Sequence, residues 1–481
     1  MKVAFLASEV IPYAKTGGLA DVAGALPKFL TGLGAEVRIF MPLYREVRKK
    51  NLPLEPVGGP AALDLGGLRL AYSVFSHRAD GVTTYFIDRP DDFDRDFLYG
   101  TAAGDYPDNA ERFSFFCRAA LETMRATGFA PDVIHAHDWQ SALTFAFLKF
   151  PYAGDPFFSR TRTLFTIHNL AYQGLFDKEV LGRIGLPSSL FNMSDLEFFG
   201  KVNALKAGIL YSSAVSTVSP RYSREIQTPD FGCGLDGLLR SRSSVLHGIL
   251  NGVDYRDWDP ATDRLIPANF TPADRSGKKA CRDALGAMFG LTAPEGRPVA
   301  GMVTRLAGQK GLDIVCEGLD ALLGLGLTLV ILGTGEQKIQ DFLLAAQKKY
   351  PDRLGLKIAF DERIAHTIYA GSDIFLIPSR YEPCGLTQMY AMKYGTIPVV
   401  RATGGLDDSV QEFDPRSANG NGFKFVEAEP APLVAAARRA AAAFRRPAEW
   451  RVLVSNAMAA DFSWERSAAA YLELYRTLPA S

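Results

Sequence analysis

Short apolar runs alternate with amphipathic stretches through the first 250 residues. Lys2–Ala7 reads as a buried strand, and Gly17-Gly18 open a helical stretch over Leu19–Leu33. Pro27 predicts a kink in that helix, and Gly32-Leu33-Gly34 a glycine end. Glu36–Met41 predicts a second strand. Leu68–Phe75 and Val82–Ile87, joined through Ala79-Asp80-Gly81, predict a hairpin with an Asp-Gly turn. Asp132–His137, Thr163–His168, Ala214–Val218 and Val245–Leu250 continue the alternation, and Ser219-Pro220 suit the start of a helix. The segment 251–275 is rich in Pro, Asp and Asn without periodicity and reads as a linker. Alternation resumes at Val299–Val303, a helix from Leu312, Leu327–Leu332, Lys357–Phe360, Ile374–Pro378 and Ile397–Arg401. Pro432–Phe444 is helical up to a break at Pro447. A last helix from Ser463 carries Ala468, Tyr471, Leu472 and Tyr475 on one face. The pattern predicts two doubly wound α/β domains, residues 1–250 and 276–457; the terminal segment 458–481 must dock its apolar face somewhere, and a return to the first domain is one option.

The 53 basic and 53 acidic side chains among 481 residues cancel, so the whole protein has no electrostatic grip on nucleic acid or an anionic membrane. The amino-terminal apolar run breaks at Ser8-Glu9, too short for a signal-peptide core, and no run is long enough to span a bilayer. Five scattered cysteines without a C-x-x-C pair predict neither disulfides nor a cysteine zinc site. These features predict a cytoplasmic protein.

Candidate chemistry gathers at the carboxyl ends of the predicted strands. Thr16-Gly17-Gly18-Leu19-Ala20-Asp21 is echoed by Thr403-Gly404-Gly405-Leu406-Asp407-Asp408. Either these are two ligand loops or they are ordinary tight turns. Neither a nucleotide P-loop nor, at the first turn, a G-x-G-x-x-G is present. In Ile377–Thr387 a strand ends, a loop carries Glu382, and a helix begins near Gly385, which suits a diphosphate. Glu382 should then turn toward neutral hydroxyls, unless it merely caps the helix. Arg305 and Lys310 on another strand-to-helix loop could neutralise a leaving phosphate without a metal, or be solvated surface cations. His135 and His137 share a strand face but lack a third ligand at metal spacing. Asp138, Trp139, His168 and Asn169 suit carbohydrate, Trp139 as a flat apolar platform; His168 could equally be a core histidine.

The long motifs resemble the bacterial glycogen synthase family, the ADP-glucose-dependent relatives of plant starch synthases. The resemblance rests on Lys15–Val22, His135–Trp139, His168–Gly174, Asn251–Asp254, Arg305, Gln309–Leu312, Arg380–Gln388, Thr403–Leu406 and Asp408. It implies a GT-B fold, two facing Rossmann-like domains with a deep inter-domain cleft. It also implies glucose transfer from ADP-glucose to the non-reducing 4-hydroxyl of an α-1,4-glucan, with retention, no cofactor and no metal. By resemblance Glu382, His168, Asp138, Arg305 and Lys310 are catalytic. Lys15, Gly17, Gly18, Asn251, Phe360, Cys384, Gly385, Leu386 and Thr387 bind the nucleotide sugar, and Glu9, Asp21, Tyr99 and Trp139 face the acceptor. Retention without a well-placed carboxylate nucleophile favours attack on the same sugar face, the leaving phosphate oxygen acting as base. Phe360 stands where relatives often carry tyrosine, and Arg282 where they often carry lysine. An epimerase or hydrolase on the same frame, or a two-domain sugar-binding protein, are the rival classes.

Overall fold

The computed structural model describes residues 1–101, 103–291 and 296–479. The chain divides into two compact units, one of residues 1–218, 223–249 and the segment from Trp464, the other of residues 219–222 and 250–463. The first unit holds strands β1 (Lys2–Leu6), β2 (Glu36–Pro42), β3 (Leu68–Ala79), β4 (Val82–Asp88), β5 (Val133–His137), β6 (Arg162–Ile167), β7 (Ala214–Thr217) and β8 (Leu246–Gly248). They run in the order β8-β7-β6-β5-β1-β2-β4-β3. Every neighbouring pair is parallel except the hairpin β3–β4. Val3 to Leu6 are fully buried, as expected of a central strand covered on both faces. The β3–β4 turn has Asp80 and Gly81 at φ 50° and 79°, the left-handed pair that a two-residue hairpin needs.

Helix α1 (Gly18–Gly32) follows β1 and contains Pro27. Gly34, at φ 89°, ends it in the left-handed conformation. Helices α2 (Asn109–Ala126) and α3 (Asp138–Lys149) lie before and after β5. Because α1 carries the chain from β1 to β2 on one side while β5 pairs on the other, the strand order reverses between β1 and β5. That is where open α/β sheets take ligands.

The second unit is a parallel sheet of β9 (Val299–Val303), β10 (Thr328–Leu332), β11 (Leu354–Lys357), β12 (Ile374–Ile377), β13 (Ile397–Arg401) and β14 (Phe423–Phe425), in the order β11-β10-β9-β12-β13-β14. Its reversal falls between β9 and β12. Its helices include α4 (Ser276–Phe289), α5 (Leu312–Gly324), α6 (Glu362–Gly371), α7 (Thr387–Lys393), α8 (Gly404–Ser409), α9 (Pro430–Phe444) and α10 (Pro447–Ala459). The last helix, α11 (Trp464–Thr477), packs on α1 in the first unit and buries Ala468, Tyr471, Leu472 and Tyr475.

Three expectations shift. The strand expected at Lys357–Phe360 lies three residues earlier, because Lys357 closes the pairing with Leu332 and Phe360 is already 93% exposed. Strand β14 was not anticipated. The segment read as a linker packs into the second unit: Ile266 and Phe270 join its core, and Trp258 stacks between His366 and Tyr390 at 3.9 and 3.8 Å.

One hairpin tip in the first unit is strained. Phe199 has φ 48° and is 85% exposed, between the paired segments Glu197–Phe198 and Lys201–Asn203. A bulky side chain in the left-handed region costs about 1–2 kcal/mol, and an exposed ring recovers little of it. Phe199→Asn is expected to raise the melting temperature. A lower value would mean that the edge-on contact with Phe198 outweighs the strain.

Candidate active site

In the second unit the loops after β9 and β12 meet at the reversal point. Gly311, at φ 71°, lies so close to Pro378 that a Cβ would stand 2.1 Å from its carbonyl oxygen. The Arg380 N–H donates to the Gln309 carbonyl at 2.9 Å. This junction brings Lys310 Nζ to Glu382 Oε2 at 2.5 Å, and the Ser379 hydroxyl donates to the same oxygen at 3.0 Å. Both side chains of the ion pair are largely buried. Glu382 is therefore turned onto one of the cations expected to face phosphate alone, and its Oε1 has no partner among the described residues. Arg305 is exposed and donates to Gln309 Oε1 at 2.8 Å.

The two glycine pairs do different work. A Cβ on Gly404 would stand 1.9 Å from the Glu382 carbonyl oxygen, and one on Gly405 2.0 Å from that of Cys384. The Gly405 N–H donates to the Glu382 and Pro383 carbonyls at 3.2 Å. This pair lets α8 pack on the Glu382–Cys384 backbone and is not an open ligand loop. Gly17 and Gly18 are exposed, and a Cβ on either would meet nothing within 4 Å, so that side of the loop is open. Cys384 is buried, its thiol pushed up to about 12 by desolvation, and Gln388 Nε2 donates to the Gly385 carbonyl at 2.9 Å. Gly385, at φ 69°, and Leu386 lead into α7, which begins at Thr387. Asn251 is 6% exposed with its Oδ1 unpartnered among the described residues, and its backbone hydrogen-bonds the Cys384 thiol. Phe360 presents a bare ring after β11.

In the first unit Glu9, expected at the acceptor, is 4% exposed and clamps the open glycine loop. Its Oε2 accepts from the Thr16 and Gly17 N–H groups at 2.5 and 2.9 Å. Its Oε1 accepts from the Thr16 and Tyr99 hydroxyls, both at 2.6 Å. Tyr99 is held in turn by Asn109 on α2, whose Nδ2 donates to its carbonyl at 2.8 Å. Lys15 is ion-paired with Asp21 at 2.6 Å. Trp139, expected as a platform, is 8% exposed, covered by Phe113, Phe176 and Gly174, and belongs to the core.

Asp138 and His168 directly follow β5 and β6, and Asp138 opens α3. Asp138, at φ 54°, accepts the His168 N–H at 2.7 Å and a backbone hydrogen bond from Asn169, which ties the two strand ends together. Burial pushes its carboxyl up to about 7 and the His168 imidazole down to about 3; His135 and His137 are driven well below the usual range by burial and by neighbouring histidines. His135 bonds Tyr475 of α11 and Thr166 at 2.7 and 2.6 Å, which makes it structural. Among the described residues no group of three or more His, Cys, Asp or Glu could hold a metal.

The signs of these shifts set a pH dependence. The three histidines stay neutral in the fold, so stability falls as pH drops below about 6.5, where the unfolded chain takes up their protons. Asp138 holds its proton in the fold, so its contribution is lost as pH rises from about 4 to about 7 and stays lost above that. Asp138→Asn keeps the left-handed backbone and one acceptor. Thermal melts should show the variant gaining on the wild type by about 4 kcal/mol between pH 4 and pH 8. A constant difference across that range would contradict the raised carboxyl.

Several supporting residues have no role assigned from the sequence, even where they lie inside a motif. Ser379 and Gly311 build the Lys310–Glu382 junction. Arg282 ion-pairs with Asp373 and bonds the Arg297 carbonyl, which gives it a structural role. Trp258 props Tyr390 on α7. Only the glycine identity of position 311, before a helix, was a usable signal.

Residues 2–241 match the family model of the starch synthase catalytic domain, and residues 287–442 that of the group 1 glycosyl transferases. The glycogen synthase of Syntrophotalea carbinolica is 46% identical over 99% of this chain and 98% of its own length. That of Anaeromyxobacter dehalogenans strain 2CP-C is 48% identical over 99% and 100%. The chain belongs to the glycogen and starch synthase family. The catalytic domain of starch synthase IV from Arabidopsis thaliana, solved bound to ADP and acarbose, superposes with a TM-score of 0.89 at 36% identity, covering 98% of both chains. Sucrose-phosphate synthase from Thermosynechococcus elongatus, at 18% identity and a TM-score of 0.61 over 99% and 98% of the two chains, shares the fold alone. The fold is thus the GT-B type, and this member of the synthase family is a glycosyltransferase. Among its described residues no helix is long and apolar enough to cross a membrane.

Proposed function

We propose that the protein moves glucose from ADP-glucose to the non-reducing 4-hydroxyl of an α-1,4-glucan, retaining the anomeric configuration and releasing ADP. The observation that carries this reading is the Lys310–Glu382–Ser379 junction at the reversal point of the second sheet, in a chain nearly half identical to glycogen synthases. Glu382 keeps Oε1 open for glucose hydroxyls while its other oxygen is neutralised, and Lys310 and Arg305 supply cations for the diphosphate. Backbone N–H groups at Gly385, Leu386 and Thr387, and Lys15 with Gly17 and Gly18, complete the phosphate contacts; Asn251 and Cys384 line the sugar, and the Phe360 ring takes the base. His168 and Asp138 take the sugar-contact roles that the family resemblance implies. The buried, protonated Cys384 thiol is a poor nucleophile, which fits same-face attack with the phosphate oxygen as base. Asp21 and Tyr99 act beside the acceptor through the Lys15 and Glu9 contacts. The five free cysteines fit a cytoplasmic location.

The test is incorporation of labelled glucose into glycogen from ADP-glucose against UDP-glucose, with EDTA present and the anomer of the new linkage determined. Polymer growth from ADP-glucose through α-1,4 linkages supports the reading. Release of ADP without polymer growth would assign a hydrolase instead.

A further inference from the structure

The contact between the two strand-end histidines fixes which nitrogen of His168 carries its proton. His137 Nδ1 and His168 Nε2 lie 3.0 Å apart, and both rings are neutral, so one proton is shared along this line. The other nitrogen of His137 decides the direction. His137 Nε2 is buried with no partner among the described residues, its ring packed against Phe5 at 4.1 Å and His135 at 4.0 Å. A proton on Nε2 would make it a buried N–H without an acceptor, which costs about 1–3 kcal/mol. A bare lone pair there is cheaper, because orphaned donors are the rarer and costlier case. His137 therefore carries its proton on Nδ1 and donates it to His168 Nε2.

That leaves the His168 proton on Nδ1, where no protein partner stands among the described residues. We infer that His137 is a positioning residue which fixes His168 as the Nδ1–H tautomer, a neutral hydrogen-bond donor for an oxygen of the bound sugar. The sugar role rests on the function proposed above; the tautomer does not. The arrangement makes His168 unable to act as an acid or a cation at neutral pH. It also explains why two adjacent histidines are buried beside one another.

Nitrogen-15 NMR of histidine-labelled protein tests this directly, because the chain has only 6 histidines and each tautomer has its own pattern of two-bond couplings. The wild type should show His168 protonated at Nδ1; protonation at Nε2 would overturn the inference without any variant. Two substitutions separate positioning from packing. His137→Asn retains a donor near the Nδ1 position and should keep the Nδ1–H pattern and kcat within about threefold. His137→Leu fills similar space without a donor and should release His168 toward the Nε2–H form, with kcat down about thirtyfold and KM for ADP-glucose little changed. Equal tautomers and equal kcat in the two variants would refute the role. If the wild type holds the Nδ1–H form but transfers no glucose, the proposed function fails while the tautomer assignment stands.

Discussion

Lys310→Ala lowers kcat/KM for ADP-glucose by about a thousandfold, and adding Glu382→Gln to it costs far less than the product of the two single losses. The reason lies in the 2.5 Å contact between these side chains. Lys310 supplies charge to the diphosphate and also neutralises a carboxylate that is 12% exposed. Removing the lysine subtracts one cation and strands an anion in a poorly solvated loop beside an anionic substrate. An uncompensated charge of that kind costs about 3–5 kcal/mol when fully buried. Glu382→Gln by itself keeps one acceptor for glucose but leaves Lys310 without its partner, and should cost about a hundredfold. In the double variant neither charge is orphaned, so the coupling should recover about 1–3 kcal/mol of the summed penalty. Steady-state kinetics on the four proteins, with ADP affinity measured alongside, give the coupling. Additive losses would mean that the two residues act on the donor independently and that their pairing has no energetic weight in turnover.

Legibility followed how local each feature was. The β3–β4 turn was readable because Asp80-Gly81 is one of few dipeptides that take two left-handed residues in sequence. The parallel sheets were readable because β1 from Val3, β10 from Leu329 and the whole of β12 are buried on both faces and show as apolar runs. What failed depended on distant partners. Trp139 has the sequence neighbours of a sugar platform, yet Phe113 and Gly174 cover its ring. Gly404-Gly405 copies the motif of Gly17-Gly18, but its lack of Cβ atoms serves backbone approach to Glu382 and Cys384, whereas the first pair is open. The segment 251–275 is polar in composition, and only the contacts of Trp258, Ile266 and Phe270 show it to be part of the second core. The motif residues named the candidate site; the ion pair, the glycine contacts and the histidine line that shape it were set by the fold.

Glu9→Ala should reduce activity about a hundredfold and cost about 3 kcal/mol of stability, whereas Glu9→Gln should be mild in both. Four donors converge on this carboxylate, two backbone N–H groups on Oε2 and two hydroxyls on Oε1. Alanine removes the acceptor of all four, three of them in the loop that carries Lys15 and the open Gly17-Gly18 pair, and only the Tyr99 hydroxyl has another acceptor near, at Ser8. Glutamine can satisfy nearly everything. Its carbonyl oxygen takes the two backbone donors, and its amide faces the hydroxyls of Thr16 and Tyr99, which can rotate to accept. Tyr99 then passes its own proton to Ser8, whose hydroxyl lies 2.7 Å away. An acceptor-binding role predicts a different outcome. If the Glu9 charge gripped a glucan hydroxyl, glutamine would raise the KM for glycogen nearly as much as alanine does, with stability unchanged. Thermal melts and glycogen titrations on both variants separate the two roles. The hydrogen-bond count already favours the clamp, because both oxygens have their donors within the first unit and Glu9 is 4% exposed.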